Sequence, residues 1–274
     1  MKKVCSLFLI IVALISCSSC GAPNFVIKKY YRDKSNFKEY TAIVEGYGDF
    51  WNESNMIYLD IGSSGGDLQT SSIYLFGENA NIARKNQIWD VIRIGSEITF
   101  SASNAIFYDG YLIPMIALSC QGEVLLEFDQ GQKNQIDWFT FGQAKPTADN
   151  IPVSTESANL LDSLGIEENP DGSCRVNGIL CEIYADNQNS RYDLGFLISN
   201  YLYTYTNSDV EFFCLQGNAL ECATESGFFE QKHIGEVFSL SAAKDAEGNW
   251  ILDSLVCCSA DDTESIRAAA DGSP

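Results

Sequence analysis

The sequence predicts an all-β-dominated chain organised as two tandem five-stranded barrels, each with one helix between its third and fourth strands. Three observations predict it. Short segments rich in β-branched and aromatic residues alternate in polarity and are separated by turn residues. Over residues 79–92 the apolar period lengthens to that of a helix, with Ile82, Ile88, Trp89 and Ile92 on one side. Three landmarks then recur in order. Val44-Glu-Gly46 returns as Val176-Asn-Gly178, residues 93–102 as 233–242, and Asp109-Gly110 as Glu247-Gly248, at offsets of 132, 140 and 138 residues.

Taken in order, the chain opens with Lys2-Lys3 and an uncharged apolar run of about a dozen residues, a targeting segment too short to cross a ~30 Å hydrocarbon core comfortably. The run closes on Leu14-Ile15-Ser16-Cys17, which resembles the lipobox of bacterial lipoproteins. That resemblance implies a signal peptide over 1–16, a diacylglycerol on the Cys17 thiol, and a chain anchored by lipid to the extracytoplasmic face of the cell membrane. Cys17-Ser-Ser-Cys20 also has the spacing of redox motifs, but its flanks are the apolar signal and Gly21-Ala-Pro-Asn24, not a βαβ unit. A tether is expected over 17–37.

The first unit, 38–131, has strands at 40–51, 56–61 and 71–76, with a hairpin turn at Gly62-Ser-Ser-Gly-Gly-Asp67. Its helix over 79–92 has Asn79 as cap. Strands follow at 94–101 and 112–119, and 123–128 adds a sixth. Residues 132–171 read as a linker with one short helix at 157–164, exposed around Pro146 and Pro152. The second unit, 172–262, has strands at 174–184, 201–206 and 210–215, a helix at 219–232, and strands at 236–242 and 249–258. Residues 191–200 remain an unassigned insertion, and 263–274 form an acidic tail.

The order β-β-β-α-β-β, found twice, resembles the OB-fold, and the resemblance implies ligand binding on the face of strands two and three. In this sequence that hairpin carries Tyr58 and Tyr74 in the first unit, and Tyr201, Tyr203 and Tyr205 in the second. Alternation puts the last three on one side. Exposed, they form a stacking platform for glycan or peptide; buried, they fill a barrel, and both readings stay open.

Composition narrows the function. The chain carries 17 basic and 37 acidic side chains, a net charge of −20. Such a field repels nucleic acid, whose binding needs clustered Lys and Arg. The single histidine, His233, aligns with Arg93 at a helix end, where a cation complements terminal carbonyls. One histidine excludes His-rich zinc and iron sites. Gly62–Gly66 lacks the Gly-Lys-Ser/Thr of a phosphate loop. The run from Asp186 to Asp193 has neither the glycine nor the terminal glutamate of a calcium loop. No cofactor and no catalytic machinery is expected. The disulfide state of Cys120, Cys174, Cys181, Cys214, Cys222, Cys257 and Cys258 stays open. These readings converge on a non-enzymatic binding or interaction module. A structural spacer, with no concave aromatic site, is the alternative, followed by an envelope hydrolase with a cleft of convergent polar groups.

Overall fold

The computed structural model describes residues 24–52, 54–62, 68, 70–103, 113–141, 144–146, 151–153, 161, 166–186, 189–198, 209–231, 233–258 and 265–267. Strands dominate them. Helix α1 (Asn24–Arg32) precedes β1 (Lys38–Phe50), β2 (Met56–Ile61) and β3 (Ser72–Phe76). Then come α2 (Glu78–Lys85), the single turn α3 (Ile88–Val91), β4 (Glu97–Ala102), β5 (Ile113–Pro114), β6 (Ala117–Cys120), β7 (Glu123–Leu126) and α4 (Phe128–Phe141). The second half runs β8 (Ser173–Asp186), β9 (Arg191–Leu197), β10 (Val210–Leu215), α5 (Gly217–Glu225), β11 (Val237–Lys244), β12 (Trp250–Cys257) and β13 (Ser265–Arg267).

In the second half β8 pairs with β9, β9 with β10, β10 runs parallel to β12, β12 pairs with β11, and β11 returns to β8. The pairings form a cycle. The first half repeats it: β1, β2 and β3 in succession, a parallel step from β3 to β5, then β6 to β4 and β4 back to β1. The fifth strand of this half is interrupted at Met115-Ile116.

The repetition reaches individual hydrogen bonds. Gly95 and Gly235, both left-handed at φ 84° and 86°, donate to the carbonyls of Val44 and Leu180. Both β1 and β8 slip register at one residue, between Val44 and Gly46 and between Leu180 and Glu182. Ile98 faces Cys120 as Phe238 faces Cys257. The inward positions correspond too: Leu59, Ile73, Leu75 and Phe100 in one half, Leu194, Phe213, Leu215 and Leu240 in the other, all fully buried. Each such side chain contributes about 1.5–3 kcal/mol of burial free energy, which ties strand alternation to stability.

The halves meet strand to strand. The first part of β1 pairs with β4 and its second part with β2, leaving an edge that takes up β8, Tyr47 opposite Ile183 and Gly48 opposite Glu182. Ile183 is the counterpart of Tyr47, so equivalent positions of the two halves face each other across this antiparallel junction. Glycine is required here. A Cβ on Gly48 would lie 2.3 Å from the Tyr58 ring and 2.9 Å from Glu182.

Several sequence expectations are corrected. The counterpart of Val44 is Leu180, so Val176-Asn-Gly178 lies four residues out of register and its likeness to Val44-Glu-Gly46 is coincidental. Strand two of the second half is β9, inside the segment read as an insertion, not 201–206. Its inward Leu194 and Phe196 alternate with outward Asp193 and Gly195, but Gly195 disguises the strand; a Cβ there would meet Glu182 at 2.5 Å. The helix expected over 79–92 breaks at Gln87, left-handed at φ 57°. The tether is helical over Asn24–Arg32 and packs on α4, with Tyr31 buried. Helix α4 crosses the expected unit boundary at 131, so the linker begins as helix. In the acidic tail β13 adds to β12. Residues 1–23, including Cys17, the Asp109-Gly110 turn, the hairpin turn at 63–67, most of the short helix at 157–164, and Tyr201, Tyr203 and Tyr205 lie outside the described residues.

Candidate functional site

Cross-strand neighbours share a face, so the outer surface of strands two and three can be read pair by pair. In the first half the outward pairs are Met56 with Phe76, Tyr58 with Tyr74, and Asp60 with Ser72. Their rings form a column. Phe50 stacks on Tyr58 at 5.8 Å, Tyr58 meets Tyr74 at 6.1 Å, Tyr74 stacks on Phe76 at 5.8 Å, and Trp138 of α4 covers Phe76 at 5.5 Å and 2°. This face is filled by the chain itself. Tyr58 is buried and donates a 2.6 Å hydrogen bond to the Glu182 carboxylate across the junction; Tyr74 is half-buried. The two candidate tyrosines of this half therefore come together, but within the packing.

The corresponding face of the second half is open. Its outward pairs are Asp193 with Cys214 and Gly195 with Phe212. Asp193, Cys214 and Phe212 line a cleft of about 610 Å³ closed by Trp250, Lys244 and the turn at Gly248-Asn249. Phe212 is 47% exposed, one of few large apolar side chains left to solvent among the described residues, while Trp250 forms the floor and stacks on Phe213. Lys244 sits 4.6 Å above the Trp250 ring and pairs with Glu168. Arg191 lies 3.3 Å from both Asp186 and Asp193. Burial, and then the adjacent Asp193, push the Cys214 thiol up to about 11, so it stays a neutral thiol at physiological pH. The turn is rigid: the Asp245 carboxylate accepts from the Asn249 side chain and from the backbone N–H groups of Glu247 and Asn249, which hold it below its ordinary range.

A second cleft, about 410 Å³, opens at the junction and is lined by Glu45, Asp60, Ser72, Tyr184 and Asp186. Burial raises the Asp60 carboxyl, a hydrogen bond from Ser72 opposes that, and Glu45 adds to it. The hairpin of β8 and β9 separates this cleft from the larger one.

His233 does not bind terminal carbonyls as expected. Arg93 does, donating to Trp89 and, at 2.7 Å, to Ile92. His233 is buried, stacked 4.2 Å from Phe228, with Nδ1 2.8 Å from Glu236. The Cys257 thiol approaches the same Glu236 oxygen at 3.6 Å, so the carboxylate stands between imidazole and thiol. A nucleophile's base must face the nucleophile, and this geometry does not provide that. All seven cysteines of the described residues are free thiols. Among the described residues no group of three His, Cys, Asp or Glu is placed to hold a metal ion, and no helix is long and apolar enough to cross a membrane.

Sequence reasoning did not find Phe212, Trp250 or Lys244. The one available signal was Phe212-Phe213: adjacent aromatics in a strand must point to opposite faces, so one of them is outward. No family model matches the chain, and no curated protein matches it.

Proposed function

We propose that the chain is an exported, lipid-anchored binding module of two OB-like barrels, held to the membrane at Cys17 and taking a glycan or peptide on its second barrel. The observation that carries this is the contrast between equivalent faces: one packed by its own Trp138, the other open around Phe212. Two five-strand cycles, each with a helix between strands three and four, support the OB-like reading. The open cleft lies where OB-folds take ligands, on strands two and three beside the loop joining strands four and five. A spacer has no use for an exposed phenylalanine in a cleft with a rigid rim, and an exposed apolar ring of this kind marks a contact surface.

Phe212→Ala in the intact chain tests this. Screened against neutral oligosaccharides and short peptides, the variant binds roughly two- to tenfold more weakly than the parent, because a lost ring contact is worth about 0.5–1.5 kcal/mol. Its melting temperature stays close to the parent's. A parent chain that binds neither class, or a variant that melts far lower, contradicts the assignment.

A further inference from the structure

The ligand class can be narrowed, and the inference rests on the binding-module reading above. On the outer surface of β8, β9 and β10, Tyr184 faces Asp193 and Asp193 faces Cys214, while in the next row Gly195 faces Phe212. Tyr184, 46% exposed, and Phe212 therefore stand on one continuous face, two strands apart. Two strand spacings and one row along the strands separate them, about 12 Å on the diagonal, the span of three to four extended residues. One ring borders the junction cleft and the other the larger cleft, so the two clefts flank a single surface.

The charges on that surface are unbalanced. Both cations already have carboxylates, Lys244 with Glu168 and Arg191 with Asp186 and Asp193. Glu211, on the rim beside Phe212, has no side-chain partner among the described residues, and Asp60 in the junction cleft accepts from a neutral serine hydroxyl. With a chain charge of −20 behind them, these groups attract cations over a Debye length and repel anions. A neutral glycan would use the rings and leave the excess charge unanswered.

We infer that the second barrel binds an extended cationic peptide lying across the β8–β9 hairpin, its apolar side chains on Phe212 and Tyr184 and its basic side chains at Glu211 and Asp60. The binding is non-covalent and strongest at low salt.

The test is amide chemical-shift mapping of the intact nitrogen-labelled chain with three probes: a short peptide alternating lysine and leucine, the same peptide with glutamate for lysine, and a neutral β-glucan oligosaccharide. The lysine peptide shifts amides around both Tyr184 and Phe212, its affinity falls several-fold as salt approaches physiological strength, and Tyr184→Ala and Phe212→Ala each weaken it roughly two- to tenfold. Equal binding of the glutamate peptide, salt-insensitive binding, or shifts confined to one cleft overturns the inference. If the oligosaccharide alone shifts the Phe212 cleft, the binding-module reading survives and the cationic peptide does not. If none of the three probes shifts either cleft, the inference also falls.

Discussion

Arg84→Leu lowers the stability of the chain by about 3–5 kcal/mol, the cost of stranding one member of a buried ion pair. Arg84 and Asp49 are 3% and 0% exposed, and the guanidinium grips the carboxylate with Nε at 2.9 and 3.1 Å and Nη2 at 2.6 Å. Asp49 also accepts from the Trp89 indole at 2.7 Å, and Arg84 reaches Asn55 at 2.6 Å. Asn55 in turn donates to the Ala144 carbonyl at 2.5 Å, so the network pins the segment that follows α4, the helix whose Trp138 fills the first-half face. Without Arg84 the Asp49 charge stays buried with a single neutral donor. Urea unfolding measures the loss. The double variant Asp49→Ala, Arg84→Leu recovers part of it, because no lone charge remains. A single-variant loss below about 1 kcal/mol would mean that the pair is solvated.

Tyr58→Phe costs about 1–3 kcal/mol by leaving the buried Glu182 carboxyl without its donor. The loss grows with pH. Burial raises the Glu182 carboxyl above its ordinary 4.5, the Tyr58 hydrogen bond pulls it down, and Asp60 pushes it up again. A carboxyl raised on folding favours the folded state fully below its unfolded value, and that contribution is lost as pH rises through the folded value. Removing the Tyr58 hydroxyl raises Glu182 further, so the variant loses more stability than the parent between about pH 4.5 and neutrality. Glu182→Gln cannot ionise and gains on the parent over the same range. Melting curves across that interval check both signs, and a pH-independent difference between Glu182→Gln and parent would contradict a buried, protonatable Glu182.

The readable parts of the sequence were those where local chemistry dictates the backbone. Residues 93–102 and 233–242 matched at the right offset because Gly95 and Gly235 both hold a left-handed turn that closes on strand one. Val176-Asn-Gly178 matched for no structural reason; Gly178 is required by Phe196, whose Cβ would lie 2.9 Å from an added Cβ. Strand β9 was hidden by Gly195, and the reason for that glycine is Glu182 on the neighbouring strand, a tertiary contact no window of sequence contains. The junction was equally invisible, since it is a backbone pairing of Tyr47-Gly48 with Glu182-Ile183 that leaves no pattern in side chains. For the site, alternation placed Tyr58 and Tyr74 of the first half on one face of strands two and three, and the structure pairs them there. There the face proved to be filled, and the open one displays a phenylalanine instead.

Of the two equivalent faces one is closed by the chain and the other is open, a difference that hydroxyl-radical footprinting of the native chain reads out residue by residue. Phe212 and Tyr184 oxidise rapidly while the buried Tyr58 and Phe76 are protected, and the lysine–leucine peptide shields Phe212 and Tyr184 and leaves the other two unchanged; that is the expected result. Oxidation of Tyr58 and Phe76 at the rate of Phe212, or a Phe212 protected before any ligand is added, would contradict it.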